Sequence, residues 1–489
     1  MPERADDLLP RRLELREALS RHPAAGRLFA FATGLAGGRG AARELLEGLA
    51  GLLWDGYRGC RTSIAWLSTQ VLRPLARALA LPCYWRALLP AGQRHGAGRE
   101  IVMVVISDVR RDPRVEREAR AMAGAGFAVK VVFPDAYSPT HAEKPIDWGR
   151  NISFLPAPAR AGDYIGTFPW LWGGPLLGIL EREKPFAYHS HDVQTALCGL
   201  AAARRNGARF VADFHEWGSE TLSWSALGGA WTPHGPVHRW LCRAVERLVL
   251  GQADEVITVC DGIAEALVRM RPRPKPVRIL RNIPRLDAVP TRNYRPLREE
   301  LGVQADKFLV LWQGGIGPTR MLEPVIEALR QAPRVVLAIR GPGIDQFGPA
   351  YHRLAESVGV ADRLVLLDAV PSPDVVAAAR GADAGVWTSP NTCKNFYYAL
   401  PNKLFEYLAA GLPVISADYP EARRLVEQYD VGLCFDPYRP DSIAAAMNRL
   451  IDDPALTARL RANTQAALRG IDAEHEWDKV VRLYEGLAA

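Results

Sequence analysis

From residue 100 onward, short apolar runs of strand length alternate with longer stretches of helical period. Residues 101–106 are continuously apolar. A polar loop (107–114), a helical pattern, a turn at Gly124 and Gly126 and a second apolar run (128–133) follow. The same step recurs at 210–214, 253–259, 308–312, 335–339, 364–367 and 382–388. Strands buried on both faces and separated by helices predict parallel, doubly wound sheets, with ligands at the carboxyl ends of the strands. The expected division is a helical extension (1–98), a first α/β domain (99–290), a second (291–470) and a closing helix (471–489). In that last helix Trp477, Val480, Val481 and Tyr484 share helical spacing.

The pattern is sharpest at residues 397–416, YYALPNKLFEYLAAGLPVIS. Pro401 and Asn402 can open a helix, Leu404, Phe405 and Leu408 give it an apolar face, and Gly411 stands where a left-handed cap is needed. Lys403 and Glu406, three apart, lie on neighbouring faces of that helix. A helix N-terminus beside a cation attracts phosphate, and a carboxylate one turn deeper can accept two sugar hydroxyls. A surface ion pair is the plainer alternative. Residues 313–320, QGGIGPTR, follow a strand. Gly314 and Gly315 allow a diphosphate close to the backbone, and Arg320, expected at the start of the next helix, can neutralise it.

Composition is that of a globular protein, 48% hydrophobic and 24% charged over 489 residues. The net charge of +7 is local: the first hundred residues hold fifteen Arg against nine acidic side chains. This argues for one basic surface and against nucleic acid. Trp54, Tyr57, Trp66, Tyr84 and Trp85 alternate there with Arg58, Arg61, Arg73, Arg77 and Arg86. Residues 50–98 therefore read either as a contact for an anionic membrane or as a helical cap. No apolar leader is present and the seven Cys show no CxxC and no His/Cys ligand spacing. Both features point to the cytoplasm, peripheral to the inner face of the plasma membrane on the first of those readings.

Two strand ends carry His residues, Tyr188-His189-Ser190-His191-Asp192 and His215-Glu216-Trp217. His189 and His191 share one face of a strand, but no third ligand of metal spacing is evident, so zinc is not expected. The Gly124 turn follows a helix and Gly315-Ile-Gly317 lacks a third Gly, which excludes a dinucleotide fingerprint. No Asp-x-Asp occurs to hold a metal-bound diphosphate.

The stretch PNKLFEYLAAGLPVIS resembles the signature of retaining Leloir glycosyltransferases of family 4, which have two Rossmann-like domains in the GT-B arrangement. The resemblance covers about residues 100–489. It implies a nucleotide-sugar donor, no cofactor and no metal. By resemblance Glu406 holds the donor ribose and His191 contacts donor sugar and acceptor, so His191, Arg320, Lys403 and Glu406 form the expected catalytic set. Gly314, Gly315, Gly341, Val370, Asn402, Leu404 and Glu406 are expected to line the donor. Asp108, Arg114, His189 and His215 are expected on the acceptor side. Two departures stand out: Tyr398 occupies the place of the family's first Glu, and Gly315 that of an Arg. The implied activity is sugar transfer to a lipid-linked or polysaccharide acceptor. A sugar-nucleotide epimerase and a non-catalytic scaffold remain the alternatives.

Overall fold

The computed structural model describes residue 89 and residues 98–489, apart from 108, 110–111, 135–145, 158–172, 226–229 and 271–275. The extension anticipated at 1–98, with its membrane or cap role, thus falls almost wholly outside the described residues, as does Asp108.

Two parallel sheets organise the described chain. The first draws on β1 (Glu100–Val104), β2 (Ala128–Pro134), β3 (Ile152–Ala157), β4 (Ala187–His191), β5 (Arg209–Phe214), β8 (Glu255–Thr258) and β9 (Arg278–Ile279), in the order β3-β2-β1-β4-β5-β8-β9. Between β5 and β8 an antiparallel pair, β6 (Leu222–Ser225) and β7 (Ala230–Pro233), forms its own small ribbon. The second sheet has the order β12-β11-β10-β13-β14-β15. Its strands are β10 (Phe308–Gln313), β11 (Val335–Arg340), β12 (Leu364–Leu367), β13 (Ala384–Trp387), β14 (Val414–Ala417) and β15 (Gly432–Phe435). Strand order reverses between β1 and β4 and between β10 and β13, so the loops after these strands diverge and leave a crevice at each carboxyl edge.

The apolar runs are continuous because both faces of each strand are covered. Along β1, Val102 and Val104 enter one buried cluster while Ile101 and Met103 enter another. Helix α1 (Pro113–Gly124) covers the latter side, opened by Asp112, whose side chain accepts from Val115 N at 3.2 Å. Helix α2 (Asp192–Asn206) follows β4, α3 (Pro236–Gln252) follows the ribbon, and α4 (Asp261–Met270) follows β8.

In the second domain α5 (Asn402–Ala409) is the helix anticipated from its apolar period. Gly411, at φ +76°, lets Gly411 N and Leu412 N return to Leu408 O and Tyr407 O at 3.0 and 2.9 Å, which closes the helix and turns the chain into β14. Helix α6 (Pro420–Tyr429) follows β14. Arg320 is not at the start of a helix as expected: the next helix begins at Glu323, and Met321 between them has φ +53°. The last helix, α7 (Asp478–Ala488), packs against α1 of the first domain, with Trp477, Val480, Leu483 and Tyr484 in its core cluster. No helix among the described residues is long and apolar enough to cross a membrane.

Candidate functional site

At the edge of the second sheet, α5 brings its two polar side chains to the loop after β10. Lys403 is 8% exposed and lies across Gly314; a Cβ at Gly314 would collide with the Lys403 stem. Its Nζ stands 5.4 Å from the centre of the Trp312 ring. Burial, and secondly the Arg320 guanidinium, pull the Lys403 ammonium down to about 8, against the pull of Glu406. Gly314 has φ +136° and Gly341 φ +151°, and a Cβ on Gly341 would strike Gly314 O. Gly314 N donates to Arg340 O at 2.9 Å and Ile316 N to Pro342 O at 2.9 Å. The two glycine loops are therefore zipped edge to edge, with the Lys403 side chain laid over Gly314.

Glu406, 5% exposed, accepts from Asn402 Nδ2 at 2.6 Å and from Gln313 Nε2 at 3.0 Å. Each carboxylate oxygen is aimed by one amide and keeps a lone pair for a hydroxyl. Gln313 is in turn fixed through its N–H, which donates to Tyr407 OH at 2.9 Å. Gln313 escaped the sequence reading. Its signal is an amide closing an apolar strand just before Gly314. Leu404 is buried and its N–H is taken by Pro401 O at 3.2 Å, so of the first-turn residues Asn402 and Lys403 face the crevice. Arg320 bends back so that Nε donates to Gly315 O at 2.8 Å. Nothing stands within 4 Å of a Cβ at Gly315, so Arg320 supplies a cation beside the position where the family's Arg is missing. Val370 is half-buried in the loop after β12.

The first sheet contributes a buried network at the ends of β4 and β5. Arg114, expected toward the acceptor, is 2% exposed and instead sits beneath this network. It grips both oxygens of Asp213 at 2.9 Å, Glu118 Oε1 at 3.0 Å and Leu280 O at 2.8 Å. His189 is likewise fully buried, with Nδ1 3.0 Å from Tyr484 OH of α7. Both residues thus support the site from behind. His191 and His215 reach the edge itself, His191 Nδ1 lying 2.9 Å from His215 Nε2 and the latter 3.1 Å from Asp213 Oδ2. Burial opposes charge on His215, but Asp192 and Asp213 outweigh it and raise it to about 9. Burial, then His189 and His215, holds His191 well below the usual range. A charged His215 donates toward His191 Nδ1, which places the remaining proton of His191 on Nε2. Asp192, at φ +62°, accepts from His215 N at 2.8 Å and secures the turn.

The metal expectation for this pair also changes in form. Glu118, His189, His191 and Asp213 bring four ligand atoms within 4.8 Å of one another, a set drawn from three elements that spacing did not reveal. Arg114 pairs with both carboxylates, and burial, then Asp213, holds Glu118 well above the usual carboxylate range, which makes this a charge-compensated core and a poor cation site.

Tyr398, in place of the expected carboxylate, faces the first domain. Its ring lies 6.3 Å from that of Trp217, and a Cβ on Gly262 would strike it. Around it Trp217 N donates to Asn395 Oδ1 at 2.9 Å, Cys260 Sγ to Tyr398 O at 3.2 Å, and Gly262 N to Glu421 Oε1 at 3.0 Å.

Both α/β domains of this chain resemble those of known proteins. Residues 112–282 match the model of the glycosyl transferase 4-like domain and residues 293–467 that of the glycosyl transferases group 1. A D-inositol 3-phosphate glycosyltransferase of Thermomonospora curvata is 28% identical over 201 residues, 39% of this chain; the chain spans 45% of that relative's length. An alpha-D-kanosaminyltransferase of Streptomyces kanamyceticus is 24% identical over 70% of this chain and 90% of its own. The structure of Anabaena HepE in complex with UDP and glucose superposes with a TM-score of 0.60 at 17% identity, over 79% of this chain and all of that one. With family models matching the chain from Asp112 to Ala467 save a ten-residue gap, and with two parallel α/β domains arranged as in GT-B enzymes, this protein belongs to the group 1 glycosyltransferases with a family 4-like first domain.

Proposed function

We propose that this glycosyltransferase moves a sugar from a nucleoside-diphosphate donor to a lipid-linked or glycan acceptor, with retention at the anomeric carbon and without a metal ion. The observation that carries the donor half is Lys403 laid over Gly314, itself pressed against Gly341, at the N-terminus of α5, with Glu406 one turn inside. In this reading the diphosphate lies along the glycine loops, the ribose hydroxyls reach Glu406, and the base rests on the loops of Gly341 and Val370. As the anomeric C–O bond breaks, its electron pair passes to the phosphate oxygen. Lys403, Arg320 and the free N–H groups of Asn402 and Lys403 meet that charge, which is the work a metal performs elsewhere. His191, offering Nε2–H, and His215 face the transferred sugar and the acceptor. Retention rests on likeness to family 4.

The test is a nucleotide-release assay in chelator, with candidate donors and a lipid-linked acceptor, followed by determination of the product anomer. Acceptor-dependent release of nucleoside diphosphate with the donor's anomeric configuration supports the proposal. Release only on adding divalent metal removes the metal-independent part, and an inverted product removes retention. Loss of donor binding in Glu406→Gln and Lys403→Met would tie the activity to this crevice.

A further inference from the structure

The spacing of His234, His238 and Cys242 contradicts the expectation that no His/Cys ligand pattern exists. They stand four apart, so they fall on one side of α3 and the turn that opens it. Their donor atoms all lie within 4.8 Å of one another. We propose that these three residues form a structural site for a borderline-soft divalent cation of the zinc class.

Three observations bear on it. First, His234 Nε2 is 3.0 Å from Gly218 O. A carbonyl only accepts, so Nε2 carries the proton and the lone pair is on Nδ1. An imidazole held by one N–H to a backbone carbonyl, with the other nitrogen turned to its neighbours, is the outer-shell arrangement that orients metal-bound histidines. Second, the His234 and His238 rings are nearly parallel, 9° apart with centres 4.1 Å apart. Imidazole lone pairs lie in the ring planes, so those of two parallel rings do not converge, and binding would turn the His238 ring out of the stack. Third, Cys242 is fully buried, four residues beyond His238 on the same helix face. That puts a sulfur donor beside both imidazoles.

Tetrahedral zinc, with bonds of about 2.0 to 2.3 Å, needs donor atoms roughly 3.3 to 3.7 Å apart, within reach of side-chain rotation from the observed separations. Two imidazoles and a thiolate select zinc or cobalt over magnesium or calcium. Three protein ligands leave a fourth position for water or another donor. Binding would release the Cys242 proton and fasten α3 to the Gly218 segment, next to Trp217 with its bond to Asn395. The site touches none of the donor-binding groups, so it stands or falls separately from metal-free transfer.

Cobalt(II) is the direct probe. Full-length protein, stripped with chelator and kept reduced, is titrated with cobalt chloride alone. The proposal expects one equivalent to bind, with a near-ultraviolet thiolate-to-cobalt band and tetrahedral visible bands, all displaced by one equivalent of zinc. Cys242→Ser should remove the thiolate band, and His238→Ala should weaken zinc binding at least tenfold, each variant retaining the wild-type circular dichroism. Wild-type protein with no thiolate band, or a band that persists undiminished in Cys242→Ser, would overturn it. Should Cys242→Ser misfold, His238→Ala alone decides, and unchanged affinity there would sink the proposal.

Discussion

Lys403 ties the proposed donor binding to stability through one buried side chain. An ammonium brought down to about 8 is one whose charged form the fold disfavours relative to the unfolded chain. The sign follows: below pH 8 its burial costs stability, and the cost is relieved as pH rises from about 8 toward the ordinary lysine range. Phosphate binding needs the charged form. Affinity for a nucleoside diphosphate, measured by calorimetry, should therefore fall as pH rises through about 8. Lys403→Met should bind about 10- to 100-fold more weakly, since a hydrogen bond to a charged group contributes about 1.5 to 3 kcal/mol. The same variant, free of ligand at pH 7, should melt no lower than wild type. A lower melting temperature would show that the ammonium has a stabilising partner in the free protein.

His215 has the opposite sign. Raised to about 9 in the fold, it contributes stability that is complete below its ordinary value and lost as pH climbs through about 9. Denaturant midpoints across pH 6 to 8, below the range in which Lys403 acts in the opposite sense, should show the start of that decline, and His215→Gln should flatten it.

Among the elements, the two glycine loops carry the sharpest constraint. Gly341, at φ +151° and pressed on Gly314 O, admits no side chain, whereas Gly315 has open space around it. Gly341→Ala should lower stability by about 1 to 3 kcal/mol, the cost of one strained backbone position, and abolish nucleotide binding. Gly315→Ala should leave the melting temperature within a degree or two. Equal effects from both would mean that the loops are not held edge to edge. Helix α5 and its glycine stop were legible in sequence because apolar period, opening Pro and closing Gly all lie within twelve residues. The network around Asp213 was not, since it joins Arg114 and Glu118 of α1 to His189 of β4 and, through Tyr484, to α7. Local pattern shows which residues share a face of one element. It cannot show that four elements deliver polar groups to one buried point, so Arg114 and His189 read as cleft residues when they are supports behind it. Gln313 was hidden for the same reason, its partner Glu406 being ninety-three residues away.

At the scale of the whole molecule, the last helix returns to the first of the two α/β domains. After the second sheet and its helices, α7 returns to α1, where Trp477 Nε1 donates to Ile283 O at 3.2 Å and Arg281 N donates to the buried Glu476 at 2.6 Å. Val480, Leu483 and Tyr484 are buried, and burying one such large apolar side chain contributes about 1.5 to 3 kcal/mol. Together they rival the 5 to 15 kcal/mol by which a whole domain is stable. The first domain is thus unfinished until the last residues arrive, and its folding depends on chain beyond the second domain. A chain ending at Ile471 should lose the cooperative unfolding of its first domain and bind nucleotide, if at all, through the second alone. Tyr484→Phe is the graded version. It keeps the packing against Phe127, whose ring centre lies 5.8 Å away, and deletes only the hydroxyl beside His189. It should fold, at a cost of about 1 kcal/mol. Hydrogen exchange separates the cases: in the truncated chain the β1 and β4 amides should exchange fast while those of β10 and β13 stay protected. Equal protection of both sheets would show that α7 merely lies on a domain that is already complete.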